Sequence, residues 1–471
     1  MSFSTLPHDS RTLLKVTINA RIVVVGASDT GLAFLEALTF SPHLRFNNLT
    51  LISTHGLPDR YSDDNMRFLA TSHCYSDQDQ AQLSLRSWIS MVMDKMKAIE
   101  SKAKHLELME NGKVKYDDLI LCTGLQYQVR DTQTQHQHNS ANQDVTPRRR
   151  HLHPVPSNLF ILNDQHDLCK IYTKHKMMFD TCTGDAVLYG NTIDMFTCVE
   201  TLMHLGVSGR RIHVVHPPEE DPFSCFHNVS VEHAVKQALE KEEVHVHHNC
   251  LLTQINDGQH TDPVTLVSFT TDAQTLRLEC TMFFIFSHKT VDYDAFKAIS
   301  DACLVFDGRL VIDSYFHTND PSIYAAGPLT KYSRCYHADQ WSDSCFNSKE
   351  VGQSLASVLL PLCDPTLERP AGPPSDHNHL IPVYNQAKIQ VLHLWLIFII
   401  CILQGRDIVT GRTETDIYIH LHLSPHDLVE SITCLSKNTL PVSNLLCLYR
   451  KQQLLLNHLC SRYDEDHHSL Y

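Results

Sequence analysis

Short apolar runs alternate with amphipathic segments along much of this 471-residue chain. Residues 21–25 (RIVVV) have the composition of a buried strand, and a turn from Gly26 to Gly31 joins them to a helical apolar face at 32–38. Residues 49–53 (LTLIS) are the next strand candidate. Because strand, turn, helix and strand in this order make a βαβ unit, the beginning of the chain predicts a parallel sheet.

The segments that follow mix helical and strand patterns. Apolar positions within residues 85–96 recur with helical spacing and predict an amphipathic helix packed on the sheet. A calmodulin-type target helix is the alternative, because basic residues flank the apolar ones. Asn111-Gly112 between two short apolar runs predicts a hairpin, and residues 118–121 predict a strand that leads into Gly124.

A second strand, turn, helix and strand occupy residues 186–215, with Gly190 in the turn. Further strands are predicted at 282–286, 308–313 and 322–327. Two such units are an internal repeat, which a single nucleotide-binding domain would not need. Between the two units, polar residues 130–158 predict a flexible insertion.

Two segments stand out near the C-terminus. Residues 391–403 (VLHLWLIFIICIL) are apolar but too short for a comfortable membrane span, which needs about 20 residues. We interpret them as buried core, with an artefact of splicing or gene prediction and a membrane anchor as alternatives. Residues 416–423 alternate like a strand, and leucines within 442–459 predict a helix that forms its own core or faces a partner chain.

The net charge and the spacing of the cysteines argue against several classes of protein. The formal net charge of -14 argues against a broad nucleic-acid surface, although Arg148, Arg149 and Arg150 are candidate local contacts. None of the 16 cysteines forms a C-x-x-C pair, which argues against a zinc ribbon or a thioredoxin-like pair. No secretory signal is visible at the start, so a reducing intracellular compartment is the default expectation.

The histidines provide two H-x-H pairs, His245/His247 and His420/His422, whose rings would share one face of a strand. Neither pair has a third and fourth ligand within reach in the sequence. We therefore predict packed or solvated histidines rather than a metal site.

The order of four motifs resembles the flavoprotein disulfide-reductase type of oxidoreductase, in which a second dinucleotide-binding domain is inserted into the first. The Gly26 turn resembles the FAD phosphate loop of that family, and the strand ending in Gly124 resembles its A-T-G strand. The Gly190 turn resembles the NAD(P)H loop, and the strand ending in Gly327 resembles the G-D segment at the flavin ribityl chain. The resemblance covers residues 16–362 and implies an FAD/NAD(P)-binding fold.

This chain departs from the cofactor motifs at each of these turns. Ser28 replaces the middle glycine of G-x-G-x-x-G, and Ser53 ends the second strand where the family has an acidic ribose ligand. The second loop keeps one glycine of three, Pro328 replaces the G-D aspartate, and Cys74 stands without a redox partner. We therefore predict no catalytic residues, no metal and no cofactor, with a vestigial FAD/NAD(P) site at Gly26, Ser28, Gly31, Gly124, Gly190 and Gly327. A divergent FAD/NAD(P)-dependent oxidoreductase is the alternative.

The residues between the motifs resemble a second and more specific family, the cilia- and flagella-associated protein 61 family. YGNTIDMFTCVETL at 189–202 and DACLVFDGRLVIDSYFHTND at 301–320 carry this resemblance, which extends over 20–390 and 409–466. It implies a non-catalytic component of the ciliary and sperm-flagellar axoneme, in the calmodulin- and spoke-associated complex at the radial-spoke base. Full-length members have a further N-terminal region, so the chain resembles a partial form.

The implied partners are radial-spoke base proteins, other subunits of that complex and, through the complex, calmodulin, but no nucleic acid. The implied location is the axoneme of the cilium or flagellum, within the cytoplasm and cytoskeleton, with roles in spoke and sperm-flagellum assembly and cilium movement. The C-terminal region resembles a partial dimerisation unit, which implies homo- or heterodimers.

The two resemblances and the residue patterns together predict an α/β fold of two Rossmann-like dinucleotide-binding domains, with a small C-terminal α+β unit. The predicted parts are a first domain at 16–130, a flexible polar insertion at 131–158, a second domain at 159–290, a return to the first domain at 291–362, a Pro-rich linker at 363–382 and a dimerisation-like unit at 383–471.

Overall fold

The structure is a computed structural model, and it describes residues 15–57, 69, 85–128, 155–164, 166–167, 184–218, 225–226, 228–259, 262–271, 274–287, 289–338, 346–367, 381–386, 405–413, 417–436, 444–445 and 447–464. Several sequence features lie outside these residues: most of the predicted polar insertion and of the Pro-rich linker, Cys74, the basic run at 148–150 and the apolar run at 391–403.

The helices and strands of the first half are, in chain order, β1 (Val16–Val25), α1 (Asp29–Thr39), β2 (Leu44–Ser53), β3 (Ser90–Met93), β4 (Met96–Glu100), β5 (His105–Leu108), β6 (Lys113–Lys115), β7 (Asp118–Leu121), β8 (Leu159–Phe160), β9 (Ala186–Gly190), α2 (Ile193–His204), β10 (Ile212–Val215), α3 (Val229–Lys241) and β11 (His245–His247). Those of the second half are β12 (Leu251–Ile255), β13 (Leu266–Thr270), β14 (Thr275–Glu279), β15 (Met282–Phe286), α4 (Tyr293–Asp301), β16 (Leu310–Ile312), β17 (Ile323–Ala325), β18 (Thr330–Tyr332), α5 (Ser348–Cys363), β19 (Arg406–Gly411), β20 (Ile417–Leu423), β21 (Val429–Ser436) and α6 (Leu459–Asp464).

The first main sheet is parallel and has the strand order β17-β7-β1-β2-β3. The last four residues of β1 and all of the final three residues of β7 are buried, as expected for strands with helices on both faces. Helix α1 connects β1 to β2 and packs its apolar side against α5. The sheet is thus assembled from both ends of the 16–362 region.

The second main sheet is also parallel, in the order β11-β10-β9-β15-β8. All five of its strands follow β7 and precede β17 in the chain, so this unit is inserted into the first. Strand β15 (MFFIF) is buried along its whole length. The predicted α/β fold with two dinucleotide-binding units, one inserted in the other, is therefore confirmed; the predicted domain boundaries stay predictions.

Three smaller sheets complete these two units. Strands β4, β5 and β6 form an antiparallel sheet, β12, β13 and β14 form another, and β16 pairs with β18 in parallel. The hairpin predicted at Asn111-Gly112 is the β5–β6 turn, in which Gly112 has a φ of 76°.

The C-terminal unit is an antiparallel sheet of β19, β20 and β21. One of its clusters, which includes Leu421 and Ile432, is the unit's own core. Tyr418 and Leu435 instead join the core of the second dinucleotide-binding unit. Next to this contact, the Asn228 amide at the N-terminus of α3 lies 2.7 Å from Nδ1 of His420. The sheet therefore packs against the inserted unit.

The helix predicted at residues 85–96 is wrong. The chain forms one 3₁₀ turn at Leu85–Ser87 and then strands β3 and β4. Val92 pairs with Ile52 of β2. Hydrogen bonding to the edge of β2 that β1 does not cover therefore overrides the helical spacing of this short apolar run. The calmodulin-type target helix considered for this segment is wrong for the same reason.

The helix predicted at 442–459 is not continuous over the residues that the structure describes there. Residues 444 and 445 are helical, but those from 447 on form turns and a short 3₁₀ helix before α6, and Arg450, Asn457 and His458 have positive φ, which interrupts a helix. Leu445 and Leu459 are buried in the unit's own core, whereas Leu454 and Leu455 are 51% and 74% exposed. Leu445 and Leu459 thus fill the role of the unit's own core, and whether the exposed leucines face a partner chain stays a prediction.

No helix in the described part of the chain is long and apolar enough to span a bilayer.

We expect Gly352→Val to lower the free energy of unfolding by about 1–3 kcal/mol. Gly352 lies where α5 crosses α1, and a Cβ there would overlap the carbonyl oxygen of Thr30 and approach Cβ of Ala33 to 2.8 Å. Urea denaturation measures the change. Gln353→Val, on the exposed side of the same helix, is the matched control, and an equal loss in both variants would contradict the packing argument.

Candidate functional site

Gly26 and Gly31, in the first turn, are required by the close approach of backbone to backbone. A Cβ on Gly26 would lie 2.5 Å from the carbonyl oxygen of Cys122, and one on Gly31 would lie 2.5 Å from the carbonyl oxygen of Gly26. Gly26 also has a φ of 106°, which a residue with a side chain rarely adopts. Both glycines therefore serve the packing of β1, α1 and the end of β7.

Ser28 stands where the middle glycine of a dinucleotide loop would be, and it is the N-cap of α1. Its Oγ accepts a hydrogen bond from the Gly31 amide at 3.3 Å, and its φ of -74° needs no glycine. Asp29 adds a carboxylate in the first turn. An amide and the positive end of the helix dipole thus have protein partners at the place where a phosphate would bind.

The end of β2, where a ribose ligand would be expected, has no acidic side chain. The Ser53 carbonyl accepts a hydrogen bond from the Asp94 amide at 3.1 Å, and His55 lies just beyond it. The His55 ring stacks on His166, with ring centroids 3.9 Å apart. Two imidazole rings therefore stack at this end of β2.

Gly124 follows β7 and Gly327 follows β17, and these two strands pair with each other. Both glycines have positive φ. A Cβ on Gly124 would meet no atom within 4 Å, whereas one on Gly327 would lie 3.2 Å from Oγ1 of Thr30. The Gly327 carbonyl accepts hydrogen bonds from the amide and hydroxyl of Thr330, both at 2.9 Å. Next to Gly124, the buried hydroxyl of Thr123 has no hydrogen-bond partner among the described residues.

Gly190, in the second turn, is required by the neighbouring strand. A Cβ there would overlap the carbonyl oxygen of Phe286 at the end of β15. The Gly190 carbonyl lies 3.2 Å from Nδ1 of His216, so the turn is also covered by the residue that follows β10. This glycine, like Gly26 and Gly31, is explained by contacts within the protein.

A buried carboxylate occupies the N-terminal turn of α2. Asp194 accepts a hydrogen bond from the Tyr127 hydroxyl at 2.7 Å. It also forms an ion pair with Nζ of Lys289 at 2.9 Å. The same ammonium group lies 4.5 Å from the centroid of the Tyr127 ring. Burial and the charge of Asp194 raise the pKa of Tyr127 well above its ordinary value, so the phenol stays a proton donor.

The sequence predictions did not include this Tyr127–Asp194–Lys289 cluster. Tyr127 follows β7 and Lys289 follows β15, so the two segments that connect the dinucleotide-binding units both reach α2. The sequence offered one signal for it: Asp194 falls in the first turn of the predicted helix that follows the strand ending at Gly190, where a carboxylate is favourable. Its two partners lie 67 and 95 residues away in the chain and could be found only in the fold.

The His216 ring is held neutral at the second turn. It stacks on His248, with centroids 5.1 Å apart, and packs at 5.9 Å from Phe196. Burial and, to a lesser extent, the charge of His248 lower the pKa of His216 to about 4. A neutral ring therefore occupies the place where a ribose ligand would follow β10.

The predicted H-x-H pairs each share a face, as strand alternation requires. His245 and His247 both stack on His213 of the neighbouring strand, while His420 and His422 both contact the Asp407 carboxylate. No group of three or more ligands suited to a metal ion occurs in the described part of the chain.

Residues 48–342, more than half of the chain, match the pyridine nucleotide-disulphide oxidoreductase domain. The chain belongs to the pyridine nucleotide-disulphide oxidoreductase family. This family assignment agrees with the two parallel sheets and with the insertion of the second unit into the first.

Solved structures of other proteins share this fold at low sequence identity. Ferredoxin reductase of the CYP199A2 system from Rhodopseudomonas palustris is 13% identical with a TM-score of 0.61, covering 88% of this chain and 91% of that one. Putidaredoxin reductase, in its covalent complex with putidaredoxin, is 15% identical with a TM-score of 0.60, covering 95% and 98%. These likenesses show the fold alone.

Two further similarities point to a second group of proteins. Residues 377–468 match the CFAP61 dimerisation domain. Cilia- and flagella-associated protein 61 from Tetrahymena thermophila is 23% identical over 485 aligned positions, covering 77% of this chain. This chain spans 28% of the length of that relative. The resemblance stated from the sequence is therefore confirmed.

We expect His216 to make the protein less stable in mild acid. Its pKa is about 6.5 in an unfolded chain and about 4 when folded, so between these values the unfolded state binds more protons and stability falls as pH falls. Protonation of this one group in the unfolded state should lower the free energy of unfolding by about 2 kcal/mol between pH 7 and pH 5. Urea denaturation at both pH values measures it.

The control is His216→Gln, which keeps a polar group at the Gly190 carbonyl but does not titrate. We expect its loss of stability between pH 7 and pH 5 to be smaller by the same amount. An identical pH dependence in the two proteins would show that His216 is not held neutral.

Proposed function

We propose that this chain is a non-catalytic structural component of the ciliary or flagellar axoneme. In this proposal it belongs to the calmodulin- and spoke-associated complex at the radial-spoke base and contributes to spoke assembly, sperm-flagellum assembly and motility. Its two dinucleotide-binding units act as a scaffold that binds proteins rather than as an enzyme that turns over a substrate.

The observation that carries the non-catalytic part is that a side-chain cap closes the N-terminus of α1 and a carboxylate lies in the first turn of α2. Ser28 caps α1, and Asp194 lies in the first turn of α2 with Tyr127 and Lys289 on it. A hydrogen bond to a charged group contributes about 1.5–3 kcal/mol, so losing two such contacts to a pyrophosphate weakens binding by two to four decades at about 1.4 kcal/mol per decade. The residues present do not fit FAD or NAD(P)H, and the glycine positions are vestigial.

The similarity to cilia- and flagella-associated protein 61 supports a role associated with cilia and flagella. The match of residues 377–468 to the CFAP61 dimerisation domain supports pairing through the C-terminal unit, with a second copy or with a related chain. Radial-spoke base proteins, the other subunits of the complex and calmodulin bound through it are the partners that we propose. The spoke-base location within the cytoskeleton belongs to the same proposal.

A divergent FAD/NAD(P)-dependent oxidoreductase is the second candidate. Membership of the oxidoreductase family favours it, and so does one local feature. The hydroxyl of Thr123 is buried beside Gly124 without a partner among the described residues, at the turn that resembles the A-T-G strand end. A bound ligand would satisfy such a group.

The two candidates differ in nucleotide binding. We expect the purified chain to show no flavin absorption band and no saturable NADH or NADPH binding at micromolar concentration by protein fluorescence. A flavoprotein of the same fold, purified in parallel, is the positive control. Stoichiometric flavin or micromolar nicotinamide binding would overturn the non-catalytic proposal.

The proposed location is tested by proximity labelling in ciliated cells. We expect a labelling enzyme fused to the chain to mark radial-spoke base proteins above the level given by the same enzyme on a soluble reporter. Labelling of metabolic enzymes without spoke proteins would contradict the axonemal assignment and favour the second candidate.

A further inference from the structure

Five histidine rings line the contact between β10 and β11. The two strands pair in parallel, with His213 directly opposite His245. The His213 ring stacks on the rings of His245 and His247, with centroids 4.8 and 5.6 Å apart. At the ends of the strands, the rings of His216 and His248 stack at 5.1 Å. These five residues, His213, His216, His245, His247 and His248, are called the histidine stack below.

Strand β11 is attached to the second sheet on one side. It is the outermost strand and has three residues, of which Val246 alone carries no imidazole. At its end the His216 amide donates a hydrogen bond to the His247 carbonyl at 2.8 Å, and the Cys250 amide donates one to the His216 carbonyl at 2.9 Å. The attachment of β11 therefore depends on one neighbouring strand and on the rings that contact it.

The geometry of the stack suits neutral rings. Nδ1 of His213 lies 3.3 Å from Nε2 of His247, so a hydrogen bond between them requires that one of the two nitrogens carries no proton. Burial first, and then the charges of other rings in the stack, lower the pKa values of His213 and His247. The same causes lower the pKa of His216 to about 4. These three rings are therefore neutral at pH 7 while β11 is in place.

One carboxylate faces His213 from the beginning of β9. Asp185 lies 3.7 Å from Nε2 of His213, but it raises the pKa of that ring by less than burial lowers it. Arg211, in the turn before β10, lies 4.0 Å from the same carboxylate. Asp185 therefore does not make a charged His213 favourable.

The charges on the other elements beside β11 are paired with each other. Glu232 and Lys236 of α3 both act on His216, and they form an ion pair at 3.0 Å. Arg210 and Glu243, just before β10 and β11, also form an ion pair. Because these carboxylates have cations of their own, they do not neutralise a charged stack.

We propose that the histidine stack is a pH-sensitive switch, which releases β11 from β10 in mild acid while the other four strands of the second sheet stay in place. Released imidazoles are solvated and take up a proton as the pH falls through about 6.5, the ordinary pKa of this side chain. The released strand then binds more protons than the attached one, so acid favours release and neutral pH favours attachment.

The release is local because β11 is the outermost strand. Its departure breaks no hydrogen bonds between the remaining strands of the sheet. It leaves β10 as the new edge, with backbone amide and carbonyl groups that lack their β11 partners.

Labelling of cysteines with an activated pyridyl disulfide, a thiol reagent that also reacts in acid, tests the release in the whole chain. Cys250 follows β11 and is buried, and its thiol donates to the His248 carbonyl at 3.2 Å. Cys303 is exposed and gives a reference rate in the same sample. Cys198 is buried in α2 and reports unfolding of the whole inserted unit.

We expect labelling of Cys250 relative to Cys303, read by mass spectrometry, to rise about tenfold or more between pH 7 and pH 5. Cys198 should stay protected at both pH values. An unchanged ratio would overturn the proposal. Equal labelling of Cys250 and Cys198 in acid would also overturn it, because the whole unit would then open.

A double variant, His213→Gln with His247→Gln, removes two titrating rings from the stack. We expect it to lower the acid-induced rise in Cys250 labelling at least about threefold. His233→Gln, at an exposed position of α3 outside the stack, is the matched control and should leave the rise within about twofold. An equal rise in the double variant and in the control would contradict the switch.

A second pair of variants covers the case in which glutamine loosens β11 at pH 7. His247→Phe keeps an aromatic ring in the stack but carries no charge, and His233→Phe is its control. The same ordering of the acid-induced rise is expected, and the reverse ordering would overturn the proposal. The switch goes beyond the proposed function, since neither flavin binding nor axonemal location bears on it.

Discussion

The N-terminus of a helix at the carboxyl edge of a parallel sheet presents free amides and the positive end of a dipole, and these groups need an electronegative partner. The fold creates this need twice, at α1 and at α2. In a dinucleotide-binding protein the partner is a pyrophosphate. In this chain the Ser28 hydroxyl caps α1, whereas at α2 the Asp194 carboxylate lies in the first turn and the N-cap residue Thr192 makes no side-chain hydrogen bond to the helix amides.

The second of these solutions also ties the molecule together. Asp194 is held by Tyr127 and Lys289, which lie on the two segments that cross between the units. The same crossing is braced from the first unit by the Lys95 ion pair with Asp292. The Asp194 cluster is thus part of the connection between the two units.

The glycines follow from the same packing. Gly26, Gly31 and Gly190 each lie against a carbonyl oxygen of the protein, so sterics within the fold require them whether or not a nucleotide binds. The chain has 16 glycines in 471 residues, and the missing ones include positions 28, 192 and 195 of the two loops. A shortage of glycine is compatible with this fold because the backbone itself needs fewer glycines than the cofactor does.

The sequence by itself determined the α/β class, the two strand–turn–helix repeats and the turns at Gly26, Ser28 and Gly190, because these depend on local apolar runs and on residues close in the chain. It failed at residues 85–96, where pairing with β2 overrides helical spacing, and at 442–459, where positive φ values interrupt the helix. Tertiary structure alone decided the Asp194 cluster and the stacking of His216 on His248, since their members are separated by tens of residues. Which groups occupy a helix terminus is a matter of contacts in space, and local sequence patterns do not encode them.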